Sequence, residues 1–511
     1  MSTSSRIIKN TSFLYIRMGI TVFISLYTTR IILSALGTAD FGIFNVIGGS
    51  IAMLGFLNST LANATQRFMS FAEGEGILDN KRRVFNVSIV LHFIIGTITI
   101  ILLLAIMPLL FDKILNIEPQ RYNSAKIIYY CLILSTFLSI INVPYESVLN
   151  AHENMLTYSI VGIIDSILRL SIAFICLYTP YDKLIVYGIL MTCIPLLTLS
   201  YMKFYCHRHY NECVLSPVRY WDIKLTQRIF NFSGWNFLTA ISSLFTVQGI
   251  GIVLNHFYGS ALNAAQGIAN QVNGQLSSFS VNMMKAVNPV IVKKKASRNL
   301  QSMNKITLTG CKFSAYLIMF FAIPIMLEMP YILGIWLKQV PAWTSLFCIL
   351  QLIYSILIHA SNAASTAIYA SGNIKYYAIY KCIMNILPLI TSYICFAFGG
   401  SPVWLYIPML VFMGIGGNIV IVYYAHKECN LSIKSYFKEV LIPVIITGFI
   451  MLVFGIIPIL MLSDNFIRLI LCALMTTSGM AISFSKVGMT SDERSIIINI
   501  YHRLSAKLIN R

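Results

Sequence analysis

The sequence predicts an all-α integral membrane protein with about 14 transmembrane helices, and three observations support this fold class. Hydrophobic residues make up 57% of the 511 residues and charged residues only 11%, against roughly 25% charged residues in soluble domains. Apolar segments repeatedly reach about 20 residues, which is enough to cross a hydrocarbon core of ~30 Å. The short polar segments between them collect lysine and arginine, as in membrane proteins. A soluble globular protein and a disordered chain are excluded.

Fourteen apolar segments are predicted as transmembrane helices, which places both termini on the same side of the membrane. The first begins after a polar, basic N-terminus and has no small-residue cleavage site, so we expect it to be retained rather than removed as a signal peptide. The predicted spans are 11–34, 42–66, 84–110, 124–147, 158–178, 184–206, 229–257, 261–290, 308–329, 343–366, 376–398, 403–425, 440–461 and 466–486.

The distribution of lysine and arginine predicts the orientation. With the N-terminus inside, the inner segments contain 26 of these residues and the outer segments 6. Cytoplasmic loops carry such an excess, so both termini are predicted to be cytoplasmic. The same rule accounts for the net charge of +19, and no nucleic-acid partner is expected.

An internal repeat predicts two lobes. One stretch matches another 219 residues later, and near the start of each half an Ile-Ile-Leu or Ile-Val-Leu triplet precedes Gly37 or Gly259. Parallel repeats of this kind are typical of alternating-access transporters. The matched pairs of the first stretch include Ala151/Ala370, Asn154/Asn373 and Tyr158/Tyr377.

We therefore expect two six-helix lobes related by pseudo-two-fold symmetry and two additional C-terminal helices. The N-lobe is assigned to residues 1–228 and the C-lobe to residues 229–430. Residues 431–511 contain the last two helices and a cytoplasmic tail.

Five basic residues are assigned to the predicted spans rather than to the loops, with Arg67 directly at the end of the second span. A charged group near the centre of a bilayer costs at least about 2.5 kcal/mol, so each is a functional candidate. The acids in the spans are fewer, Glu146 and Asp165, with Glu328 near an outer end, and Asp165 is spaced to pair with Arg169 across one helical turn. The basic residues are Arg17, Arg30, Arg67, Arg169 and Lys285.

The eighth span has a broad polar face, which predicts either a water-lined cavity or an interhelical packing surface. The number of polar groups exceeds what packing needs, so the cavity is favoured, and three of them, Gln271, Gln275 and Asn282, are assigned to substrate binding with Lys285. The polar row of this face is Gln271, Gln275, Ser278, Asn282 and Lys285.

Two arginines of the first span point in different directions. Arg17 and Arg30 are 13 residues apart, which is about 220° around a straight helix. Arg17 is the better cavity residue, and Arg30 is predicted to extend to the membrane interface. An arginine lining suits an anionic ligand with phosphates, because the guanidinium binds phosphate by two parallel hydrogen bonds.

The sequence has no nucleotide-binding or hydrolase motif, so a transporter rather than an enzyme is expected. Its energy would come from an ion gradient or from downhill flow of the substrate. Glu146 and Asp165 are weak candidates for ion coupling, beside His92, His256 and His359. No cofactor and no metal site are predicted.

Three stretches resemble the Wzx-type polysaccharide flippases of the multidrug, oligosaccharidyl-lipid and polysaccharide exporter superfamily, whose fold is that of MATE transporters. One is Thr29–Gly37 followed by Asp40–Phe44, and another is Ile332–Leu337. The third begins at Leu254 and continues to Pro289. The resemblance extends over the whole chain through the same order of 14 spans.

The resemblance implies a flippase for an undecaprenyl-pyrophosphate-linked oligosaccharide, an O-antigen or capsule repeat unit, in the bacterial inner membrane. It implies a cationic cavity between two lobes and coupling to H⁺ or Na⁺. Its partners would be the lipid-linked oligosaccharide, membrane lipids, a polysaccharide polymerase and glycosyltransferases. Two alternatives stay open: a MATE-type drug/cation antiporter, which should carry acids in its cavity, and a membrane-embedded polysaccharide polymerase, which should have a long outer loop.

Overall fold

The computed structural model describes residues 3–52, 55–114, 119–337, 340–489 and residue 493. Its regular structure in these ranges is helical. Contacts divide the chain into two units, the N unit, Ile7–Phe237, and the C unit, which combines Met1–Arg6 with Leu238–Arg511. The division falls inside two helices, after Arg6 and after Phe237, and the lobe boundaries at residues 228 and 430 stay predictions.

The N unit is built from long helices with short connections. Two of the connections use capping side chains: Asn154 accepts a hydrogen bond from the backbone of Thr157, and Asp182 accepts two from the first turn of the next helix, which satisfies amides that a helix start leaves free. The helices are α1 (Thr3–Ala52), α2 (Gly55–Glu75), α3 (Leu78–Leu109), α4 (Tyr122–Ala151), α5 (Met155–Tyr178), α6 (Lys183–His209), α7 (Pro217–Tyr220) and the first part of α8 (Ile223–Tyr258).

The core of the N unit lies where α4 and α6 pack against α1 and α3. Ile128 and Leu184 are fully buried there, and a Cβ on Gly188 would lie 2.2 Å from Cδ1 of Ile128. The buried Tyr129 hydroxyl donates to the carbonyl of Leu103 at 2.6 Å. Close approach at a small residue is a usual way for membrane helices to pack, and it holds the helices that carry the candidate residues.

The C unit continues with α8 and repeats the long-helix design. Its tenth predicted span is a pair of helices bent by 41° at residues 360–361. The helices are α9 (Ser260–Ala296), α10 (Leu300–Leu327), α11 (Met329–Trp336), α12 (Thr344–His359), α13 (Asn362–Ser371) and α14 (Lys375–Ala397), followed by the helical segments Pro402–Cys429, Ile433–Met461 and Phe466–Lys486.

A buried ion pair fastens the last helical segment to the C unit. Glu328 has no exposed surface, and its carboxylate accepts two hydrogen bonds from the guanidinium of Arg468, at 2.8 and 2.7 Å. Asp464 binds the same guanidinium. Such two-point pairing satisfies a carboxylate that would otherwise be costly to bury, so Glu328 has a structural role.

Within the described ranges, each of the fourteen predicted spans lies mainly on helices. Eleven helices of the described ranges are long and apolar enough to cross a membrane, and the bent pair makes twelve. The eighth span, α9, is a helix that does not meet this test, and the second span lies partly in α1 and partly in α2, on either side of two residues outside the described ranges. The chain is therefore a multi-pass membrane protein.

The repeat is visible in the backbone. Gly37 interrupts α1 with φ 75° and ψ 172°, and Gly259 precedes α9 with φ 79° and ψ −175°. These angles are unfavourable for residues with a Cβ, and both glycines lie at the junction between the first two spans of a unit. The α4–α5 and α13–α14 connections also match the 219-residue offset within one residue. At these positions the backbone is consistent with the predicted repeat, which stays a prediction for the rest of the chain.

Candidate functional site

Arg17 is a half-buried cation held against α5 of the N unit. Its guanidinium carbon lies 4.6 Å from the centre of the Tyr158 ring. The side chain also crosses Gly162, where an added Cβ would lie only 2.1 Å from Nε. Arg17 makes no ion pair with any residue that the structure describes. The aromatic face attracts the cation and leaves its in-plane N–H groups available for an anion.

Arg67 is surrounded by aromatic rings near the end of α2. Its guanidinium carbon lies 4.4, 5.1 and 5.3 Å from the ring centres of Phe68, Phe71 and Phe232. We call these three side chains the aromatic cage. Cation–π contacts engage the face of a guanidinium, whereas bidentate recognition of phosphate uses its edge. The cage thus fixes Arg67 in a geometry compatible with anion binding.

A second cation, Arg228, lies near Arg67 and the aromatic cage. Arg228, on α8 one turn before Phe232, repels the charge of Arg67, and Glu75 at the end of α2 attracts it. The sequence analysis assigned Arg228 to a loop, because the seventh span was placed from residue 229. The helix actually begins at Ile223, so Arg228 belongs to the same local site.

The remaining basic candidates of the N unit are Arg30 and Arg169, and the predicted position of Arg30 at the membrane interface stays a prediction. Arg30 is exposed on α1 and has no ion pair within the described ranges. Asp165 and Arg169 are joined by an ion pair of 2.8 Å, which confirms their predicted pairing. Both residues therefore neutralise each other on α5.

The other candidate acid, Glu146, is half-buried on α4 and accepts a hydrogen bond from Asn142 at 2.9 Å. His92 is fully buried on α3, where its Nδ1 lies 2.9 Å from the carbonyl oxygen of Ser88. These contacts position the two groups, and their assignment to ion coupling stays a prediction.

A charge network ties the C-terminal ends of α2 and α4 to the 210–216 loop. The imidazole of His152 lies between Glu73 and Glu212, and Lys81 pairs with Glu73 at 2.7 Å. Burial alone would raise the pKa of the Glu212 carboxyl, but the hydrogen bond and charge of His152 lower that pKa overall. Each carboxylate of the network has a basic side chain as its partner, and we assign the network a structural role.

In the C unit, the polar residues of α9 separate into two faces. Ser277 contacts the hydroxyl of Ser355 on α12 at 3.2 Å, and Ser280 contacts Ser314 on α10, so this face packs. Gln271 and Gln275 are exposed. A glutamine amide facing hydrocarbon would lose its hydrogen bonds to water, so we expect the second face to be hydrated.

The predicted binding residues Asn282 and Lys285 continue this second face. Both side chains are half-buried, and Asn282 donates a hydrogen bond to the carbonyl of Ser278 at 3.0 Å. Another cation of the C unit was missed: Lys381 was counted with an inner loop, but it lies within α14, and a Cβ on Gly417 would be 2.7 Å from its Nζ. The position of the Lys381 ammonium against Gly417 depends on the packing of α14 on the segment Pro402–Cys429, which the sequence does not indicate.

Single cysteines on α9 test whether the second face is hydrated. Cysteines at Gln271 and Gln275 are expected to react quickly with a membrane-impermeant thiol reagent, whereas a cysteine at the buried Ala269 should react slowly. The measurement is the labelling rate in membranes, carried out in a chain whose 11 native cysteines are replaced. Equal protection of all three positions would mean that both faces of α9 are packing faces.

Comparison with known proteins identifies the fold. No family model matches the sequence, and no curated protein is a significant match. Solved structures match over 84% of this chain and 97% of theirs. A MATE mutant has a TM-score of 0.72 at 15% identity. A MOP superfamily transporter from Pyrococcus furiosus, described as having a binding pocket of reverse polarity that suggests a different function, has 0.70 at 15%.

A third similar structure is an outward-facing multidrug resistance MATE family transporter, with a TM-score of 0.69 at 15% identity and the same coverage. The chain thus has the fold of the MATE transporters of the MOP superfamily, as the sequence predicted. At this level of identity the likeness establishes the fold, and the function has to be argued from the residues.

Proposed function

We propose that the protein is a flippase that moves an undecaprenyl-pyrophosphate-linked oligosaccharide, an O-antigen or capsule repeat unit, across the bacterial inner membrane. It does so by ion-coupled alternating access, with both termini in the cytoplasm. The glycan is made by glycosyltransferases on the inner side and used by a polysaccharide polymerase on the outer side. Membrane lipids surround the transporter, and coupling uses an H⁺ or Na⁺ gradient.

The observation that carries the proposal is Arg17. A cation within a membrane span is costly, and most such residues are neutralised by a neighbouring acid. Arg17 instead rests on Tyr158 and Gly162 without an ion pair in the described part of the chain. Its counter-charge is therefore expected from a ligand, and a pyrophosphate provides a doubly charged group with oxygen atoms that match the guanidinium fork.

Other polar residues support an anionic, sugar-bearing substrate. Arg67 in the aromatic cage and Lys285 on α9 add positive charge, while Gln271, Gln275 and Asn282 offer amides to sugar hydroxyls. Arg30, exposed on α1, is assigned to the same substrate near the outer interface. Amides both donate and accept hydrogen bonds, which suits the hydroxyl groups of a glycan.

The drug/cation antiporter is the alternative that the comparisons favour, because one similar structure is a multidrug resistance transporter. Binding an organic cation calls for an available acid. In the N unit, however, Asp165 is neutralised by Arg169, and Glu146 accepts a hydrogen bond from Asn142. The reported reverse polarity of the Pyrococcus furiosus pocket supports the idea that this fold accommodates substrates of opposite charge.

Proteoliposomes test the proposal directly. Purified protein is expected to move a fluorescent undecaprenyl-pyrophosphate oligosaccharide between leaflets when an H⁺ or Na⁺ gradient is imposed, as measured by an impermeant quencher. An Arg17→Gln variant should move it at least about 30-fold more slowly, because a charge-assisted contact is lost. Gradient-driven uptake of a cationic dye without lipid movement would instead identify an antiporter, and glycan elongation by the purified protein would identify a polymerase.

A further inference from the structure

The inner end of α6 carries a groove that combines basic and apolar side chains. Five of its lining residues follow one face of the helix at intervals of three and four residues, and the sixth, Leu215, closes the groove from the 210–216 loop. We call this the α6 groove. It is lined by Ser200, Lys203, Phe204, His207, Arg208 and Leu215.

The α6 groove is positively charged and apolar at once. Lys203 and Arg208 are exposed and form no ion pair within the described ranges. Phe204 is 64% exposed. Exposed Leu196 and Leu197 continue the apolar surface along α6 into the predicted span. Cationic groups at the end of an apolar strip match a molecule with an anionic head and a hydrocarbon chain.

The 210–216 loop forms one wall of the α6 groove, and hydrogen bonds on both sides of Leu215 fix its position. The buried side chain of Asn86 donates to the carbonyl of Val214 at 2.8 Å and accepts from the amide of Ser216 at 2.9 Å. Across the groove, the His207 ring lies between Phe85 and Tyr145. The groove is thus a fixed feature of the N unit rather than a surface irregularity.

The residues beyond the α6 groove also indicate a membrane interface. Val218 is 96% exposed and Trp221 42% exposed, with the exposed Arg219 between them. Apolar and basic residues alternating on one exposed segment are typical of surfaces that lie at the boundary between headgroups and acyl chains. The segment would therefore bring the groove to the depth of the headgroup phosphates.

We propose that the α6 groove binds an anionic phospholipid of the surrounding leaflet. Lys203 and Arg208 contact its phosphodiester and headgroup, while Phe204 and Leu215 contact the start of an acyl chain. The site is separate from the assigned substrate residues, since none of those lies on α6. The required chemistry is a phosphodiester headgroup of net negative charge with acyl chains, so a zwitterionic lipid, whose headgroup cation is repelled by Lys203 and Arg208, or a headgroup without chains should bind weakly.

The test uses the full-length purified protein and a fluorescent phosphatidylglycerol as probe. A Lys203→Gln, Arg208→Gln double variant is expected to bind it about 30-fold more weakly, because each lost cation near an anionic surface weakens binding roughly fivefold. A Lys434→Gln, Lys438→Gln variant is the matched control. It removes the same charge at two exposed lysines of the C unit and should bind within about twofold of the wild type.

Three further measurements make the result decisive. Thermal unfolding should show both variants folded like the wild type, and Leu215→Asn, which leaves every charge in place, should weaken phosphatidylglycerol binding as well. Equal binding losses in the groove variant and its control would overturn the proposal by showing unspecific charge attraction. Loss of undecaprenyl-pyrophosphate binding with unchanged phosphatidylglycerol binding would overturn it too, and would make the groove part of the substrate path.

Discussion

An Arg67→Gln variant is expected to lose nearly all export of the lipid-linked glycan while its expression and folding stay close to those of the wild type. Glutamine keeps some hydrogen bonding but removes the positive charge that the aromatic cage positions. Losing a charge-assisted contact to a phosphate costs about 2–5 kcal/mol, or at least roughly 30-fold in transport. The measurement is surface polysaccharide in a complementation assay, normalised to the amount of protein in the membrane.

Arg67→Lys serves as the control for charge. It should retain part of the export, because an ammonium keeps the charge but not the planar fork. Lys285→Glu should be as damaging as the loss of Arg67, since an acid there repels phosphate. Full complementation by an Arg67→Ala, Lys285→Ala double variant would refute the role of both cations and favour the antiporter. A parallel fall in protein level and export would mean that Arg67 only stabilises the helices.

The fold was largely predictable because its signals are local. Apolar length locates most of the spans, whereas the orientation expected from the count of lysine and arginine stays a prediction. The two polar spans were recognised because each is long enough to cross the membrane and has one polar face. The matched glycines Gly37 and Gly259 were noticed from flanking residues, and the structure adds the reason, since both adopt positive φ.

The details of the site were less predictable, because they depend on contacts between distant helices. No sequence pattern indicates that Phe232 on α8 reaches Arg67 on α2, or that Arg468 meets Glu328 at 140 residues' separation. The seventh span was also placed to begin a few residues late, which put Arg228 outside its helix. The Asp165–Arg169 pair was predictable, since its partners are one turn apart on one helix.

Gly162 provides a way to move the Arg17 guanidinium without altering the arginine itself. A Cβ at this position would lie 2.1 Å from Nε and 2.4 Å from Cζ of Arg17. The guanidinium is the flexible end of a long side chain, so it should be displaced while α5 stays intact. Gly162→Ala is expected to lower transport by roughly tenfold or more, with unchanged or slightly raised thermal stability, because alanine favours a helix over glycine.

The matched control is Gly19→Ala, two residues from Arg17 on α1, where an added Cβ meets no atom within 4 Å; it should transport at the wild-type rate. In an Arg17→Gln background, Gly162→Ala should lower transport no further, because the group that it displaces is already gone. Transport rates of the wild type, the two single variants and the double variant in proteoliposomes give this interaction directly. If the two substitutions instead lowered transport independently, the effect of Gly162→Ala would come from α5 and not from displacement of the Arg17 guanidinium. The contact with Gly162 would then no longer support Arg17 as the central residue of the proposed site.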